Sequence, residues 1–209
     1  MCPRVRILRL SPTCDGDLEY TLTTPCACAC ALIGFQWSIL LATHDEVSQT
    51  LSTEQPDATR WDVIDINEAP EPNSDTINCL RSGPPEWRRR EDQISQAAAV
   101  STGLIGRFLL AKIAAAEYEA VVARIQAALA TVPVEGDDRV WALRAVQALQ
   151  AAGVINLAGD VRNSADLENV VLVAGKEVVD RIQRRRLEIR SVRDIPVGEL
   201  RKGWWRKIV

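Results

Sequence analysis

Three cysteines, Cys26, Cys28 and Cys30, form the most conspicuous group of reactive side chains in the sequence. Residues two apart on a strand lie on the same face, so the three sulfur atoms would line up on one side. Such a row fits a soft-metal or redox site, but we prefer the interpretation of small apolar side chains buried in a strand, where free cysteine is common. Because structural zinc usually has four ligands at CxxC-type spacing, which this sequence lacks, we expect no metal and no cofactor.

A single histidine, His44, limits the acid–base chemistry open to the chain. Asp45 and Glu46 follow it, so one interpretation is a general base oriented by a carboxylate. The interpretation that we prefer is an exposed loop histidine at the end of a strand, because no nucleophile or metal partner is evident. The sequence contains no complete catalytic constellation, and it leaves open whether the protein is an enzyme.

Asp62 is the candidate for an acid or base at a different site, in an apolar pocket lined by tryptophans such as its neighbour Trp61. The interpretation that we prefer for the carboxylates of this region is a solvated strand edge. Tryptophan side chains are the second notable group, and they either line a ligand pocket or pack in the core. The six tryptophans are Trp37, Trp61, Trp87, Trp141, Trp204 and Trp205.

Composition predicts one globular domain over residues 1–209, with 47% hydrophobic residues, 25% charged residues and a net charge of −3. That balance gives no general attraction to nucleic acid or to an anionic membrane. The most apolar stretch, 27–42, is shorter than the roughly 20 residues of a membrane-spanning helix. No secretory signal is recognisable, so we expect a cytoplasmic protein with reduced cysteines, and neither nucleic acid nor membrane as a partner.

The elements that must position these side chains change from strands to helices along the chain. Polar and apolar residues alternate at 4–10 and 18–23, and 60–65 has the character of a further, half-buried strand. Strands followed by helices is the pattern of an α+β domain, with an N-terminal antiparallel sheet and a helical C-terminal half. In chain order, the predicted regions are mainly strands at 1–68, a proline-rich loop at 69–90, mainly helices at 91–190 and a tail at 191–209.

Helical spacing follows the predicted loop. Ile105, Leu109 and Ile113 recur every four residues, and apolar residues over 121–129 do the same, which predicts a helical stretch over 91–131 that bends or breaks near its glycines.

Two further helices have recognisable ends. Asp137 or Asp138 is suited to cap a helix that stops at Gly153. Ser164 is suited to cap another helix over 165–186.

Several segments, in order over residues 30–150, resemble an uncharacterised fungal family known only as a domain of unknown function. Residues 35–41, Phe-Gln-Trp-Ser-Ile-Leu-Leu, are similar to the family's strand motif Phe-His-Trp-Ala-Leu-Leu. Residues 59–62, Thr-Arg-Trp-Asp, are similar to its strand Thr-Arg-Tyr-His. Residues 107–113 resemble its helix motif Arg-Val-Leu-Ile-Gly-Lys-Val, and 132–134 match its Val-Pro-Val.

The next segment, 135–149, resembles a family segment of the form Gly-Asp-Pro-x-Trp-x-Cys-x-x-Trp-Val-x-x-Ala-Leu. Aligned on Ala148 and Leu149, it has Trp141 at the family's cysteine. A shift of two residues would place Leu143 there instead, so neither alignment supplies a thiol.

In the family, a histidine on a strand precedes a cysteine at a helix start, an order similar to that of a permuted papain-like fold. Here Gln36 and Asp62 stand at the two histidine positions. The resemblance therefore implies a preserved scaffold whose polar centre is substituted. It suggests a non-catalytic or repurposed member that binds a small molecule or a protein partner. The candidate ligand-binding residues are Gln36, Trp37, Trp61, Asp62 and Trp141.

Two other hypotheses remain open. One is an enzyme with a relocated acid/base site, with Asp62 as acid or base beside Gln36, acting on a small molecule, for example in a fungal biosynthetic pathway. The other is a structural interaction module, such as a homodimer that docks through its helices. The binding hypothesis and the enzyme hypothesis both require Gln36, Asp62 and Trp141 to meet at one open pocket.

Overall fold

The computed structural model describes residues 4–7, 11–13, 34–42, 56–68, 84–101, 104, 106–157 and 163–199. Its strands are β1 (Arg4–Ile7), β2 (Ser11–Thr13), β3 (Gly34–Gln36), β4 (Ile39–Ala42), β5 (Ala58–Asp65), β6 (Trp87–Ile94), β7 (Arg107–Lys112) and β8 (Val197–Glu199). Its α-helices are α1 (Gln96–Ser101), α2 (Tyr118–Ala130), α3 (Asp138–Ala151) and α4 (Ser164–Gln183).

Six of the described strands form one sheet in the order β6-β5-β4-β1-β7-β8. All neighbours are antiparallel except β7 and β8, which are parallel. Strands β2 and β3 pair separately as an antiparallel ribbon. The sequence prediction of an α+β fold is confirmed. The four residues of β4 are all buried, and the strand lies inside the sheet between β5 and β1.

The larger core lies between one face of this sheet and helices α2, α3 and α4. Alternate residues of the central strands point into it, namely Ile39 and Leu41 on β4 and Trp61 and Val63 on β5. Burial of these apolar faces is the main stabilising term of the fold. The helices supply the other side of the core with Val121, Ile125, Leu129, Trp141, Leu149, Leu167 and Val171.

The residues between these alternate positions point to the opposite face of the sheet. Leu40 and Ala42 form a small cluster there with Ala58. Ile94 of β6 packs against this cluster and also against the cluster that α1 forms with the segment around Val192. The sheet is therefore covered on both faces at this end.

A buried polar network ties the second face together. The carboxylate of Asp57 accepts hydrogen bonds from the backbone and the side chain of Gln96 at 2.7 and 3.0 Å. The guanidinium of Arg107 donates to the side-chain oxygen of Gln96 at 2.8 Å and to the carbonyl of Val192 at 3.0 Å. Because Arg107 is only 2% exposed, these acceptors are needed to offset its desolvation.

The predicted helices after residue 130 are confirmed, with small changes at their ends. Asp137 is the N-cap of α3, and its side chain accepts a hydrogen bond from the Val140 N–H at 2.8 Å. The N-cap of α4 is Asn163 and not Ser164, because the Asn163 side chain accepts from the Asp166 N–H at 2.9 Å.

The helix predicted over 91–131 is wrong for its first two-thirds. The structure has the end of β6, the short helix α1 and strand β7 before α2 begins at Tyr118. A spacing of four residues, as between Leu109 and Ile113, is a multiple of two, so it places residues on one face of a strand as well as on one face of a helix. The family-like motif at 107–113 thus forms strand β7, between β1 and the edge strand β8, and not a helix.

The predicted loop over 69–90 ends earlier than expected, because β6 begins at Trp87. Asp65 fixes this start by accepting a hydrogen bond from the Glu86 N–H at 3.0 Å. Strand β6 lies at an edge of the sheet, and its many charged residues discourage pairing with other chains. Because these charges leave little apolar alternation, the sequence pattern did not predict a strand here. The predicted tail likewise contains β8, which pairs with β7.

Some predictions lie outside the described residues, among them the strand at 18–23 and the apolar segment before residue 34. Among the helices in the described ranges, none combines the length and the apolar character needed to cross a bilayer.

Two valines on α4 provide a matched test of this packing. Val171 is 0% exposed and Val173 is 47% exposed. We expect Val171→Ala to lower the free energy of unfolding by about 2 kcal/mol, because it removes buried methyl groups and leaves a cavity. Val173→Ala should change it by no more than about 0.5 kcal/mol. Urea unfolding followed by circular dichroism measures both, and equal effects would contradict the position of α4.

Candidate functional site

Three of the predicted ligand-binding residues are tryptophans packed in the core. Trp37, Trp61 and Trp141 are 1%, 2% and 0% exposed, and all three belong to the cluster between the sheet and the helices. The structure therefore brings them together, as the sequence interpretation required, but within packed interior and away from solvent. Of the two alternatives for these tryptophans, the contacts favour packing.

Asp62 lies on the opposite face of the sheet from Trp61, because neighbouring residues of a strand point in opposite directions. It is 0% exposed. Arg90 donates from Nε to Oδ1 at 2.8 Å and from Nη2 to Oδ2 at 2.6 Å, which is the bidentate geometry of a strong ion pair. Both carboxylate oxygens of Asp62 are thus engaged by protein groups.

A second ion pair flanks the first across the same two strands. The register places Arg60 opposite Asp92, next to the Asp62–Arg90 pair. Arg60 donates to Asp92, and its Nε lies 3.5 Å from Oδ2 of Asp62. Arg90 Nε also lies 3.3 Å from Oδ2 of Asp92. These four residues, which we call the β5–β6 ion-pair cluster, balance two positive and two negative charges.

Gln36, the remaining predicted residue, is the last residue of β3 and is half-buried. Its backbone pairs with Ser11 in the small ribbon. Since Trp61 and Asp62 occupy opposite faces of the sheet, the five predicted residues do not line one open pocket.

Asp138, in the first turn of α3, was recognised in the sequence only as a possible helix cap. Its Oδ2 accepts a hydrogen bond from the Trp37 N–H at 2.7 Å and so joins α3 to the break between β3 and β4. Burial raises the pKa of Asp138 to about 7, and repulsion from Asp137 adds to the rise, against the lowering effect of the Trp37 N–H. A carboxyl that titrates near neutrality has the property required of a general acid or base.

A cleft of about 680 Å³ opens between β7 and the segment that follows α3. No sequence motif pointed to it, because its two walls are about 40 residues apart along the chain. None of the described side chains that line it carries a formal charge. The lining residues are Leu110, Ala111, Gln150, Gly153, Val154, Ile155 and Asn156.

The cysteine row Cys26, Cys28 and Cys30 lies outside the described residues, as does His44. Within the ranges that the structure does describe, no group of three or more His, Cys, Asp or Glu side chains is placed to hold a metal ion.

Comparisons with protein-family models, curated protein sequences and solved structures find no match to this chain. The resemblance to the fungal family accordingly stays a prediction.

The β5–β6 ion-pair cluster can be tested by removing one cation. We expect Arg90→Met to lower the free energy of unfolding by about 3 kcal/mol, because it leaves the buried carboxylate of Asp62 without its main partner. Arg88→Met, at an exposed position on the same face of β6, should cost less than about 1 kcal/mol. Removing both charges with Asp62→Asn and Arg90→Met should recover part of the loss. Similar costs for the two single variants, measured by urea unfolding, would contradict the cluster.

Asp138 predicts a pH dependence of stability. In the folded state the pKa of Asp138 is raised above the ordinary 3.8, so the folded state binds the proton more tightly than the unfolded state does. The contribution of Asp138 to the free energy of unfolding therefore falls as the pH rises from about 4 to about 7. The carboxamide introduced by Asp138→Asn retains an oxygen for the Trp37 N–H and cannot ionise. We expect this variant to be more stable than the parent by up to about 4 kcal/mol at pH 8, with the difference vanishing near pH 4. Stability curves that run parallel over this pH range would contradict the assignment.

Proposed function

We propose that this chain is a non-catalytic or repurposed protein that binds a small molecule or a protein partner. The observation that carries the proposal is the closed state of Asp62 and Trp141, the positions at which the fungal family has a histidine and a cysteine. Each side chain is 0% exposed and held by its neighbours.

The environment of Asp62 supports a structural role. A catalytic acid or base must reach a substrate proton within hydrogen-bond distance. Here Arg90 occupies both carboxylate oxygens, and Arg60 lies against one of them. An acid–base role for Asp62 would therefore require the ion pair to break first.

The environment of Trp141 supports the same conclusion. A papain-like nucleophile is exposed at a helix N-terminus, where the thiolate is stabilised. Trp141 does lie in the first turn of α3, but its indole fills the core instead of facing solvent. Trp141 therefore contributes to the packing of the helix on the sheet.

Binding is supported by the cleft between β7 and the segment after α3. Its volume of about 680 Å³ lies within the range of small-molecule sites, and four of its seven lining side chains are apolar while two carry amides.

A second candidate function rests on Asp138. A carboxyl with a pKa of about 7, placed against the Trp37 backbone, is suited to an enzyme with a relocated acid or base. This role would replace the one that the sequence suggested for Asp62.

Hydrolysis assays separate these functions. We expect the purified chain to hydrolyse p-nitrophenyl esters, a thioester and a fluorogenic peptide no faster than buffer, before and after alkylation with iodoacetamide, because neither family position supplies a nucleophile. Turnover that alkylation abolishes, and that is lost on mutating a single cysteine, would contradict the non-catalytic proposal. Turnover that survives alkylation, has a pH inflection near 7 and is lost in Asp138→Asn would instead establish the second candidate.

A further inference from the structure

We propose that the cleft between β7 and the segment after α3, which we call the β7–α3 cleft, binds an uncharged and mainly apolar small molecule that carries a hydrogen-bonding group. This inference rests on the proposed binding function and specifies the ligand class.

The apolar part of the site comes from two separate elements. Leu110 and Ala111 belong to strand β7, and Val154 and Ile155 follow α3. Leu110 and Ile155 are 9% and 4% exposed, so the deeper part of the lining is anchored in the core. Apolar surface of this kind attracts ligand groups whose own hydration is unfavourable.

The polar part consists of two carboxamides, Gln150 and Asn156, both on exposed residues at the cleft. A carboxamide both donates and accepts hydrogen bonds, so it suits a hydroxyl, amide or aromatic amine. Two such groups on an apolar surface orient a ligand without requiring it to be charged.

The cleft is poorly suited to an ionised ligand. Among the described residues, no side chain in the lining could compensate a buried charge, which makes desolvation of an ion costly. The carbonyls of Leu149, Gln150 and Ala152 at the end of α3 already accept hydrogen bonds from within the chain, so they offer no free acceptor to a cation. Arg124, a nearby cation, already donates to the carbonyl of Ala152.

The wall after α3 is fixed before any ligand arrives. Gly153 adopts a φ of +66°, and its N–H donates to the carbonyl of Gln150 at 2.9 Å. The Val154 N–H donates to the carbonyl of Leu149 at 2.9 Å, which completes a Schellman motif. A wall held by these bonds loses little conformational freedom on binding, which favours affinity.

Two fluorescent probes test the ligand class. N-Phenyl-1-naphthylamine is neutral, apolar and carries one N–H donor, and 1-anilinonaphthalene-8-sulfonate is the same ring system with an anionic group. We expect the full chain to bind one molecule of the neutral probe with increased fluorescence. The anionic probe should bind at least about tenfold more weakly, because none of the described side chains that line the cleft carries a positive charge to compensate its sulfonate. No binding of the neutral probe, or equal affinity for both, would overturn the proposal.

Three variants locate the probe. Asn156→Trp fills the cleft from an exposed position, and Gln150→Glu places a negative charge in it, so both should weaken the neutral probe by at least about tenfold. Gln147→Glu makes the same change one turn earlier on α3, outside the lining, and should alter affinity by less than about twofold. Circular dichroism confirms that each variant is folded. Unchanged affinity in folded Asn156→Trp and Gln150→Glu would place the probe elsewhere and overturn the proposal.

Different results would disprove the assignment of the ligand to the cleft and the proposed binding function. If a panel of small molecules raises the melting temperature equally in the parent and in Asn156→Trp, the chain binds ligands at another site and the cleft assignment is wrong. Thiol-dependent turnover in the hydrolysis assays would overturn the proposed function whatever the probes show.

Discussion

Helix α3 packs against strand β5, and both the position of Asp138 and the wall of the β7–α3 cleft depend on that contact. Trp141 on the helix and Trp61 on β5 belong to one buried cluster, so apolar packing joins the helix to the sheet. Asp138 at its first turn accepts the Trp37 N–H, which fixes the end nearest the strand break. The Schellman motif at its other end sets the wall of the β7–α3 cleft. This packing contact thus buries Trp141 near one end of the helix and positions the wall of the cleft at the other.

Strand β5 contributes buried side chains to both faces of the sheet. Trp61 and Val63 enter the helical core, and Arg60 and Asp62 enter the opposite face. Charged groups are tolerated there because each finds a partner on β6, and a buried ion without such a partner would be strongly unfavourable. The pairing also fixes register, since a slip of one residue would put the ions into the apolar core.

The residues that the sequence singled out as a site and the residues that line the cleft lie in different parts of the molecule. The residues that the sequence marked as a site are used for packing and for charge compensation. The cleft that has the dimensions of a ligand site lies elsewhere, and none of its described lining side chains carries a formal charge. Asp138 combines burial with a pKa of about 7, although it was visible in the sequence only as a helix cap. A binding role and a proton-transfer role therefore draw on different parts of the molecule.

The sequence by itself determined the α+β class, β5, and helices α3 and α4, because alternation, helical spacing and capping side chains act over a few residues. It did not determine β7, because a four-residue spacing suits a strand and a helix alike. Only the tertiary structure decided that Arg90 neutralises Asp62, that the three tryptophans are interior and that β7 meets the end of α3 in a cleft. Those outcomes depend on which distant segments become neighbours, and burial and pairing across the sheet set that choice.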